Sequence, residues 1–85
     1  MIHVTSAIYI SHFKMNISFS NGDKGIVDLK DELWGEVFQP LLSPEAFQQF
    51  ELSKTFGTIH WPNGADFAPE FLHAKMMEQV AKSAV

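Results

Sequence analysis

The segment spanning residues 13–19 alternates strictly between apolar and polar side chains, which is the pattern of a β-strand with one buried face. Asn21-Gly22 follows at once and favours a type I′ hairpin, because both residues tolerate a positive φ. The run from Lys24 to Leu29 is therefore predicted to return antiparallel to the first strand of this hairpin.

The register of the hairpin depends on the length of its loop. With two residues in the loop, Ile17 lies opposite Ile26, and this is the pairing that we predict. With a looser loop, Ile17 would lie opposite Val27 instead.

A further strand is predicted before this hairpin. Ser6 interrupts its apolar face, and Ser11-His12 is predicted to form the turn that leads into residues 13–19. The three strands together predict an antiparallel β-meander. The apolar residues of the first strand share one parity and are predicted to share its buried face: Ile2, Val4, Ile8 and Ile10.

Shorter elements are predicted after the meander. Residues 28–34 favour a single helical turn with Asp28 as its cap, whereas residues 37–42 contain Pro40 and are predicted to be extended. Residues 50–52 and 58–61 are predicted to add one or two further strands, with Ile59 and Trp61 facing one way.

Two helices have recognisable starts. Ser43 is a predicted N-cap for a short helix over residues 44–50, and Pro69 is predicted at the first position of a C-terminal helix. Ala68 is a poor cap, so Asp66 is expected to help from just outside that helix. Its predicted apolar stripe is formed by Phe71, Leu72, Met76, Met77, Val80, Ala81 and Ala84. We therefore predict a single α+β domain over residues 1–85, with the C-terminal amphipathic helix packed on the sheet.

Composition narrows the classes of partner. The formal net charge is −4 and all six basic residues are Lys, so the Arg side chains that usually read phosphates and guanines are missing. Direct nucleic-acid binding is not expected. The sequence shows no signal-peptide pattern and no apolar run near the ~20 residues that span a bilayer. With no Cys for disulfides, these features predict a cytoplasmic protein that does not bind membranes.

Patterns for catalysis and metal binding are also lacking. The chain offers no Cys nucleophile and no Ser in a Gly-x-Ser-x-Gly elbow, so we expect no catalytic residues and no enzymatic activity. The four His residues are spread along the sequence without the spacing of a metal site, and no Gly-rich phosphate loop occurs. No metal and no cofactor are expected.

Residues 61–66 read Trp-Pro-Asn-Gly-Ala-Asp and form the most distinctive run of the chain. Pro62 presets φ for a turn, and both Asn63 and Gly64 tolerate a positive φ. Asp66 can accept hydrogen bonds from backbone N–H groups near the final helix. The run is predicted to be a strand-to-helix corner, and the alternative is a small-ligand or enzymatic site at this turn.

The same run resembles the hallmark of a small bacterial family, the domain-of-unknown-function 2442 family. The resemblance continues into Pro69-Glu70 and reaches upstream over Val27-Asp28-Leu29 and over Gly35 to Leu41. It implies a compact α+β domain and assigns no catalytic residue. Some relatives continue into a helix-turn-helix domain, which is not expected within these 85 residues. Relatives are often encoded beside another small protein, which implies a two-protein module of toxin–antitoxin type.

These observations predict a protein-interaction or adaptor domain, and the family resemblance suggests the partner-neutralising half of a two-gene module. A protein partner or a second copy of the chain is expected, because small sheets leave edges and because the chain is rich in aromatic residues. The residues singled out for interaction or for the structural signature are Trp34, Phe38, Trp61, Pro62, Asn63, Gly64 and Asp66.

Overall fold

The computed structural model describes residues 1–83, with the side chains of the last two excepted, and shows an α+β fold. Strands β1 (Val4–Ser11), β2 (Lys14–Phe19) and β3 (Lys24–Asp28) form an antiparallel sheet in that order, which confirms the predicted meander. Strands β4 (Glu51–Ser53) and β5 (Thr58–His60) pair antiparallel in a second sheet. The helices are α1 (Pro44–Phe47), α2 (Pro69–Ser83) and two 3-10 turns, Lys30–Glu32 and Gln39–Leu42.

One hydrophobic core joins these elements. The inward faces of β2 and β3 meet α2 on one side, and α1 and β5 supply the aromatic part. Burial of this apolar surface is the main stabilising contribution available to a chain that has no disulfide. The buried apolar residues are Val4, Met15, Ile17, Phe19, Val27, Leu29, Leu33, Leu41, Phe47, Ile59, Trp61, Ala65, Phe67, Leu72 and Met76.

Helix α2 lies across β3, and a glycine allows the close approach. A Cβ atom at Gly25 would lie 2.9 Å from Cγ of Met76, so a larger residue there would force the Met76 side chain to move. Further along, Oε1 of Gln79 accepts a hydrogen bond from the backbone N–H of Asp28, at 3.1 Å. The helix is thus fastened to the edge of the sheet as well as to its inner face.

The predicted apolar stripe of α2 is only partly buried. Leu72 and Met76 are in the core, but Met77, Val80 and Ala81 are exposed, and Ala84 lies outside the described residues. For Val80 and Ala81, the physical reason is that β3 ends at Asp28, which Gln79 already reaches, so the helical residues that follow Gln79 have no strand beneath them.

A β-bulge in β1 reverses the face on which its side chains lie. The register with β2 shifts between Val4 and Ser6, so that Val4 is buried while Tyr9 becomes the residue that packs on the core. Ile8 is 63% exposed and Ile10 is also exposed. The predicted buried face of the first strand is therefore wrong beyond the bulge, because one extra residue moves the following side chains to the other face. A second register shift follows between Tyr9 and Ser11.

The β2–β3 loop contains three residues instead of two. The N–H of Phe19 donates to the carbonyl of Asp23, and Gly22, with φ +91°, donates back to the carbonyl of Phe19. Ile17 consequently lies opposite Gly25, and both registers considered from the sequence are wrong. Oδ1 of Asn21 accepts a hydrogen bond from the N–H of Asp23. This bond stabilises a loop of three residues, which is one residue longer than the turn that Asn-Gly predicts.

The short helical pieces agree with the sequence in part. Oδ1 of Asp28 accepts a hydrogen bond from the N–H of Lys30, but the 3-10 turn Lys30–Glu32 has Leu29 at its N-cap position and no side-chain cap there. The predicted capping position is therefore wrong by one residue, because the helical turn begins later than Asp28. Residues 39–42 form a 3-10 turn where an extended segment was predicted, because Pro40 occupies an early helical position that its fixed φ suits. Ser43 caps α1 as predicted, but the helix ends at Phe47.

The β1–β2 turn is formed by His12 and Phe13, one residue later than predicted, and both have a positive φ, +51° and +65°. His is among the residue types that are enriched in this conformation, whereas a bulky residue such as Phe adopts it rarely. The Phe13 ring is nevertheless held in place, because it packs edge-to-face on Phe47 at 5.1 Å and Nζ of Lys30 lies 5.7 Å above it. His12 is exposed and has no such compensation.

Replacing His12 by Asn is expected to stabilise the protein. Both residue types occur in the left-handed conformation, but Asn adopts it more readily than His, so the free energy of unfolding should rise by up to about 0.5 kcal/mol. Urea denaturation measures the change. The control is His12→Val, whose β-branched side chain disfavours this conformation and should lower the stability; if Asn were no more stable than Val, backbone strain at this turn would be disproved.

A hydrogen bond joins α2 to the β2–β3 loop. Nε2 of His73 lies 2.8 Å from Oδ2 of Asp23, and the His73 ring also packs edge-to-face on Phe19. The hydrogen bond from His73 is the main reason why the pKa of the Asp23 carboxyl lies below its ordinary value, with a smaller lowering from Asn21.

This pKa shift predicts a pH dependence of stability. Because the pKa of Asp23 is lower in the folded state, its contribution is fully present above its ordinary pKa and is lost as the pH falls below about 4. The variant Asp23→Asn should therefore lose less stability than the unmodified protein between about pH 4 and pH 2, measured by urea denaturation. Glu36→Gln, at an exposed carboxylate, is the matched control. Equal acid sensitivity of Asp23→Asn and the unmodified protein would contradict the role of this bond.

Candidate functional site

Trp61 is a core residue and not part of an open site. Its side chain is 1% exposed, and its indole N–H donates a 2.8 Å hydrogen bond to the carbonyl of Phe47. The rings of Phe47 and Phe67 flank it at 5.6 and 5.8 Å. The turn that follows Trp61 therefore begins from a fixed point inside the domain.

Asn63 ties the turn to a distant segment. Its Nδ2 donates to the carbonyl of Val37 at 2.8 Å, and its Oδ1 accepts from the N–H of Ala65 at 3.1 Å. Two backbone hydrogen bonds between Trp61 and residues 64 and 65 close the turn, and Gly64 supplies the positive φ of +92°. Pro62, Asn63 and Gly64 thus have the structural roles that the corner interpretation predicts.

Asp66 does not act as the predicted helix cap. Its backbone pairs with His60, but within residues 1–83 its exposed carboxylate makes no hydrogen bond. The first backbone bond of α2 runs from the N–H of Leu72 to the carbonyl of Ala68. The Asp66 side chain is left free beside the start of the helix.

A cleft of about 300 Å³ opens next to this carboxylate, and we refer to it as the aromatic cleft. Trp34 forms an exposed wall of this cleft, with 72% of its surface accessible, although the preceding Leu33 is buried. The rings of Phe38, Phe67 and Phe71 form a continuous stack, with centroid separations of 4.7 and 5.4 Å. The cleft is lined by Glu32, Trp34, Phe38, Asp66, Phe67, Ala68 and Phe71.

The two acidic residues of the aromatic cleft differ in their surroundings. Oε2 of Glu32 lies 3.2 Å from Nζ of Lys75. Burial lowers the pKa of the Lys75 ammonium, but the hydrogen bond to Glu32 and neighbouring negative charges outweigh it, so that the pKa is raised. Glu32 therefore already has a cation beside it, whereas Asp66 has a carboxylate without an ion-pair partner in the described part of the chain.

The seven candidate residues thus separate into two groups. Trp34, Phe38 and Asp66 come together in the aromatic cleft. Pro62 and Asn63 line a smaller cleft of about 190 Å³, which Trp61 also contacts. Gly64 provides the positive φ that the turn requires. A single site that combines Trp61 with Asp66 is not formed.

Sequence reasoning missed four residues of the aromatic cleft, namely Glu32, Phe67, Ala68 and Phe71. The signal for the two Phe residues was their separation of four, with Phe67 two residues before α2 and Phe71 in its first turn. Their stacking with Phe38 brings together residues 29 positions apart in the chain, from 38 to 67, and no local pattern indicates it.

Comparison with known proteins assigns the family. The family model for proteins of unknown function DUF2442 matches residues 4–77. The chain belongs to the DUF2442 family. This confirms the resemblance of the sequence, and the match includes every residue that lines the aromatic cleft. No curated protein sequence matches the chain.

A solved structure shares the DUF2442 fold seen here. It is the crystal structure of a candidate DNA-binding protein from Nitrosomonas europaea, with a TM-score of 0.82 and 23% sequence identity. The match covers 95% of this chain and 52% of that chain, so this chain spans about half of the length of the other protein. At this identity, the likeness concerns the fold.

Within the described residues, no group of three His, Cys, Asp or Glu side chains is placed to hold a metal ion. No helix of residues 1–83 is both long and apolar enough to cross a bilayer.

Asn63→Ala is expected to destabilise the protein by about 1–2 kcal/mol, because it removes two hydrogen bonds that hold the turn. Asp66→Ala should change the stability by less than about 0.5 kcal/mol, because this exposed carboxylate has no hydrogen bond to lose. Thermal and urea unfolding of the two variants measure the difference. A loss from Asp66→Ala as large as that from Asn63→Ala would restore the capping role.

Proposed function

We propose that this chain is a protein-interaction domain whose aromatic cleft receives a basic side chain of a protein partner. The observation that carries the proposal is the position of Trp34, a large and exposed aromatic side chain, in the same cleft as the unpaired carboxylate of Asp66. Aromatic rings attract cations over their faces, and a carboxylate supplies the opposite charge.

Charge complementarity supports a basic partner. The chain has a formal net charge of −4, so its overall field attracts cations and repels anions. At the cleft itself, Asp66 has no competing cation in the described structure, whereas Glu32 is already paired with Lys75. An entering guanidinium or ammonium group would therefore find its anionic partner at Asp66.

The flat stack of rings favours Arg over Lys as the inserted residue. Phe38, Phe67 and Phe71 lie nearly parallel, with interplanar angles of 26° and 11°, so they do not form a box around a compact cation. A planar guanidinium can stack on an aromatic face and donate two hydrogen bonds to one carboxylate. An ammonium group has neither property.

The partner is proposed to be the product of an adjacent gene, with this chain as the neutralising half of a two-gene module. The family resemblance supports this arrangement, and an exposed aromatic cleft supplies a surface for it. We also propose that the chain has no catalytic activity and acts by binding alone in the cytoplasm.

The alternative function, a small-ligand or enzymatic site at the turn, is less well supported. A ligand there would need the Trp61 ring or a polar group with free hydrogen-bonding capacity. The Trp61 ring is buried. In Asn63, both Nδ2 and Oδ1 of the side-chain amide already form hydrogen bonds within the protein.

A role near DNA is proposed only through a partner. The name of the Nitrosomonas europaea protein concerns DNA binding, but that protein is about twice as long as the region matched here. Our chain has six Lys, no Arg and a negative net charge, which oppose direct phosphate contact. Retention of DNA by this chain alone at physiological salt would contradict the proposal.

A peptide titration tests the cleft directly. A short peptide with one Arg should shift the indole N–H resonance of Trp34 in ¹H–¹⁵N NMR spectra, whereas the same peptide with citrulline should not. Asp66→Asn should weaken the Arg response roughly tenfold or more, because a charge-assisted bond is lost. Phe56→Ala, at an exposed aromatic residue outside the cleft, is the matched control and should leave it unchanged.

Two results would overturn this assignment. One is an equal response to the Arg and citrulline peptides, and the other is binding that survives Trp34→Ala. Co-expression with the product of the adjacent gene then tests the partner. Co-purification that is lost in Trp34→Ala and Asp66→Asn supports the proposal, and separate elution of the two native proteins would refute the two-gene module.

A further inference from the structure

Two turns of this chain share a dipeptide and a backbone geometry. Asn21-Gly22 lies in the β2–β3 loop, and Asn63-Gly64 lies in the turn after β5. The two glycines have nearly equal φ values, +91° and +92°. In each turn the glycine N–H donates to the carbonyl three residues earlier, and Oδ1 of the Asn accepts from the N–H two residues later. A further backbone bond, of 2.8 and 2.9 Å, closes each turn. The two turns are therefore matched locally, and a difference in their chemistry comes from their surroundings.

The Asn-Gly dipeptide has a characteristic reaction with its own backbone. The glycine nitrogen attacks the side-chain carbonyl carbon of Asn, the bond from that carbon to the amide nitrogen breaks, and ammonia leaves. The succinimide ring that results takes up water and opens to aspartate or isoaspartate, so that the chain gains a carboxylate. Glycine favours the attack because it has no Cβ to hinder the approach. The net change is the hydrolysis of an amide, and it needs no co-reactant except water.

Each turn must open before this reaction can take place. The glycine nitrogen has to leave its carbonyl partner, and the Asn side chain has to release the N–H that it holds. The peptide bond between Asn and Gly must also rotate, which moves the residue that follows the glycine. The rate in the folded protein therefore depends on the free energy of this local opening.

The residue that moves during opening differs between the two turns. Asp23, which follows Gly22, is exposed, so its movement displaces only surface groups. Ala65, which follows Gly64, is 1% exposed and belongs to the hydrophobic core. Rotation at the second turn therefore disturbs buried packing, whereas rotation in the β2–β3 loop does not.

The amide groups of the two Asn residues are also held differently. Nδ2 of Asn63 donates at 2.8 Å to the backbone carbonyl of Val37, which is 26 residues away. Nδ2 of Asn21 donates at 3.1 Å to the carboxylate of Asp23, within its own loop. When Asn21 rotates away, that carboxylate keeps a second partner, Nε2 of His73 at 2.8 Å. Release of the amide therefore costs less at Asn21 than at Asn63.

We propose that Asn21 is a site of spontaneous deamidation in the folded protein, and that tertiary contacts protect Asn63 from the same reaction. Water is the only reactant that the site takes. Asn21 does not line the aromatic cleft, so this modification is independent of the proposed binding function.

Deamidation of Asn21 should loosen the link between the β2–β3 loop and α2. The new carboxylate replaces an N–H donor to Asp23, and the two negative charges repel each other. Both changes raise the pKa of Asp23, because the hydrogen bond from Asn21 helps to lower it in the unmodified chain. Isoaspartate also adds a carbon atom to the backbone of the loop, which disturbs the bonds of Phe19 with residues 22 and 23. The contact between Asp23 and His73 is thereby weakened.

Incubation of the full folded chain in mildly alkaline buffer tests the proposal. Peptide mass spectrometry follows the conversion at each Asn, and ion exchange separates the forms with additional negative charge. Asn21 should convert roughly tenfold or more faster than Asn63, because opening at Asn63 breaks a tertiary hydrogen bond and disturbs a buried residue. Asn16, which precedes the β-branched Ile17 inside β2, should remain unchanged.

Two controls separate the effect of the structure from that of the sequence. In guanidinium chloride the tertiary contacts are absent, so Asn21 and Asn63 should convert at similar rates. In the folded chain, Asn21→Gln should remove most of the acidic product, because the longer side chain has to close a larger ring. Circular dichroism confirms that this variant is folded before its rate is interpreted.

The effect on α2 has a measurement of its own. After separation by ion exchange, the converted chain should unfold at a lower urea concentration than the unconverted chain. This difference should be smaller in Asp23→Asn, which has already lost the carboxylate that the new charge repels. An equal difference with and without Asp23→Asn would contradict a link that runs through Asp23.

Three results would overturn the assignment of Asn21. Conversion of Asn63 in the folded chain as fast as that of Asn21, or faster, would exclude protection by tertiary contacts. An unmodified Asn21 in the folded chain, after a time that fully converts the denatured chain, would show that the loop does not open to the reaction. Undiminished acidic product from Asn21→Gln would place the reaction at another residue.

Discussion

The burial of Trp61 is the constraint on which the rest of this domain depends. Its ring fills the space between α1 and the start of α2, and its N–H satisfies the carbonyl of Phe47 at the end of α1. An aromatic residue of this size buries roughly 150–250 Å² of surface, a large share for so small a core. Loss of the indole would leave both a cavity and an unsatisfied buried carbonyl.

The aromatic cleft is a consequence of that anchor. With Trp61 held inside, the turn must run along the surface, and Asn63 fastens it to Val37. That contact sets the adjacent Phe38 against Phe67, and it leaves Asp66 at the rim. The turn over residues 61–66 therefore contributes to the proposed binding site indirectly, because it positions an exposed aromatic surface beside a free carboxylate.

Part of this site was accessible from the sequence. Trp34, Phe38 and Asp66 stood out by residue type and by their place next to turns, and they do line one cleft. Phe67, just before α2, and Phe71, in its first turn, were missed as cleft residues because local patterns predict only that a side chain faces the protein. Whether a half-buried ring belongs to the core or to a cleft depends on what packs against it from elsewhere in the chain.

The sequence by itself determined the antiparallel meander, the Ser43 cap, the start of α2 at Pro69 and the corner at residues 62–64, because these depend on neighbouring residues. Only the tertiary structure decided the bulge in β1, the three-residue loop before β3 and the left-handed His12-Phe13 turn. At these places local preference competes with burial of Tyr9, Val27 and Phe13 against distant partners, and burial prevails.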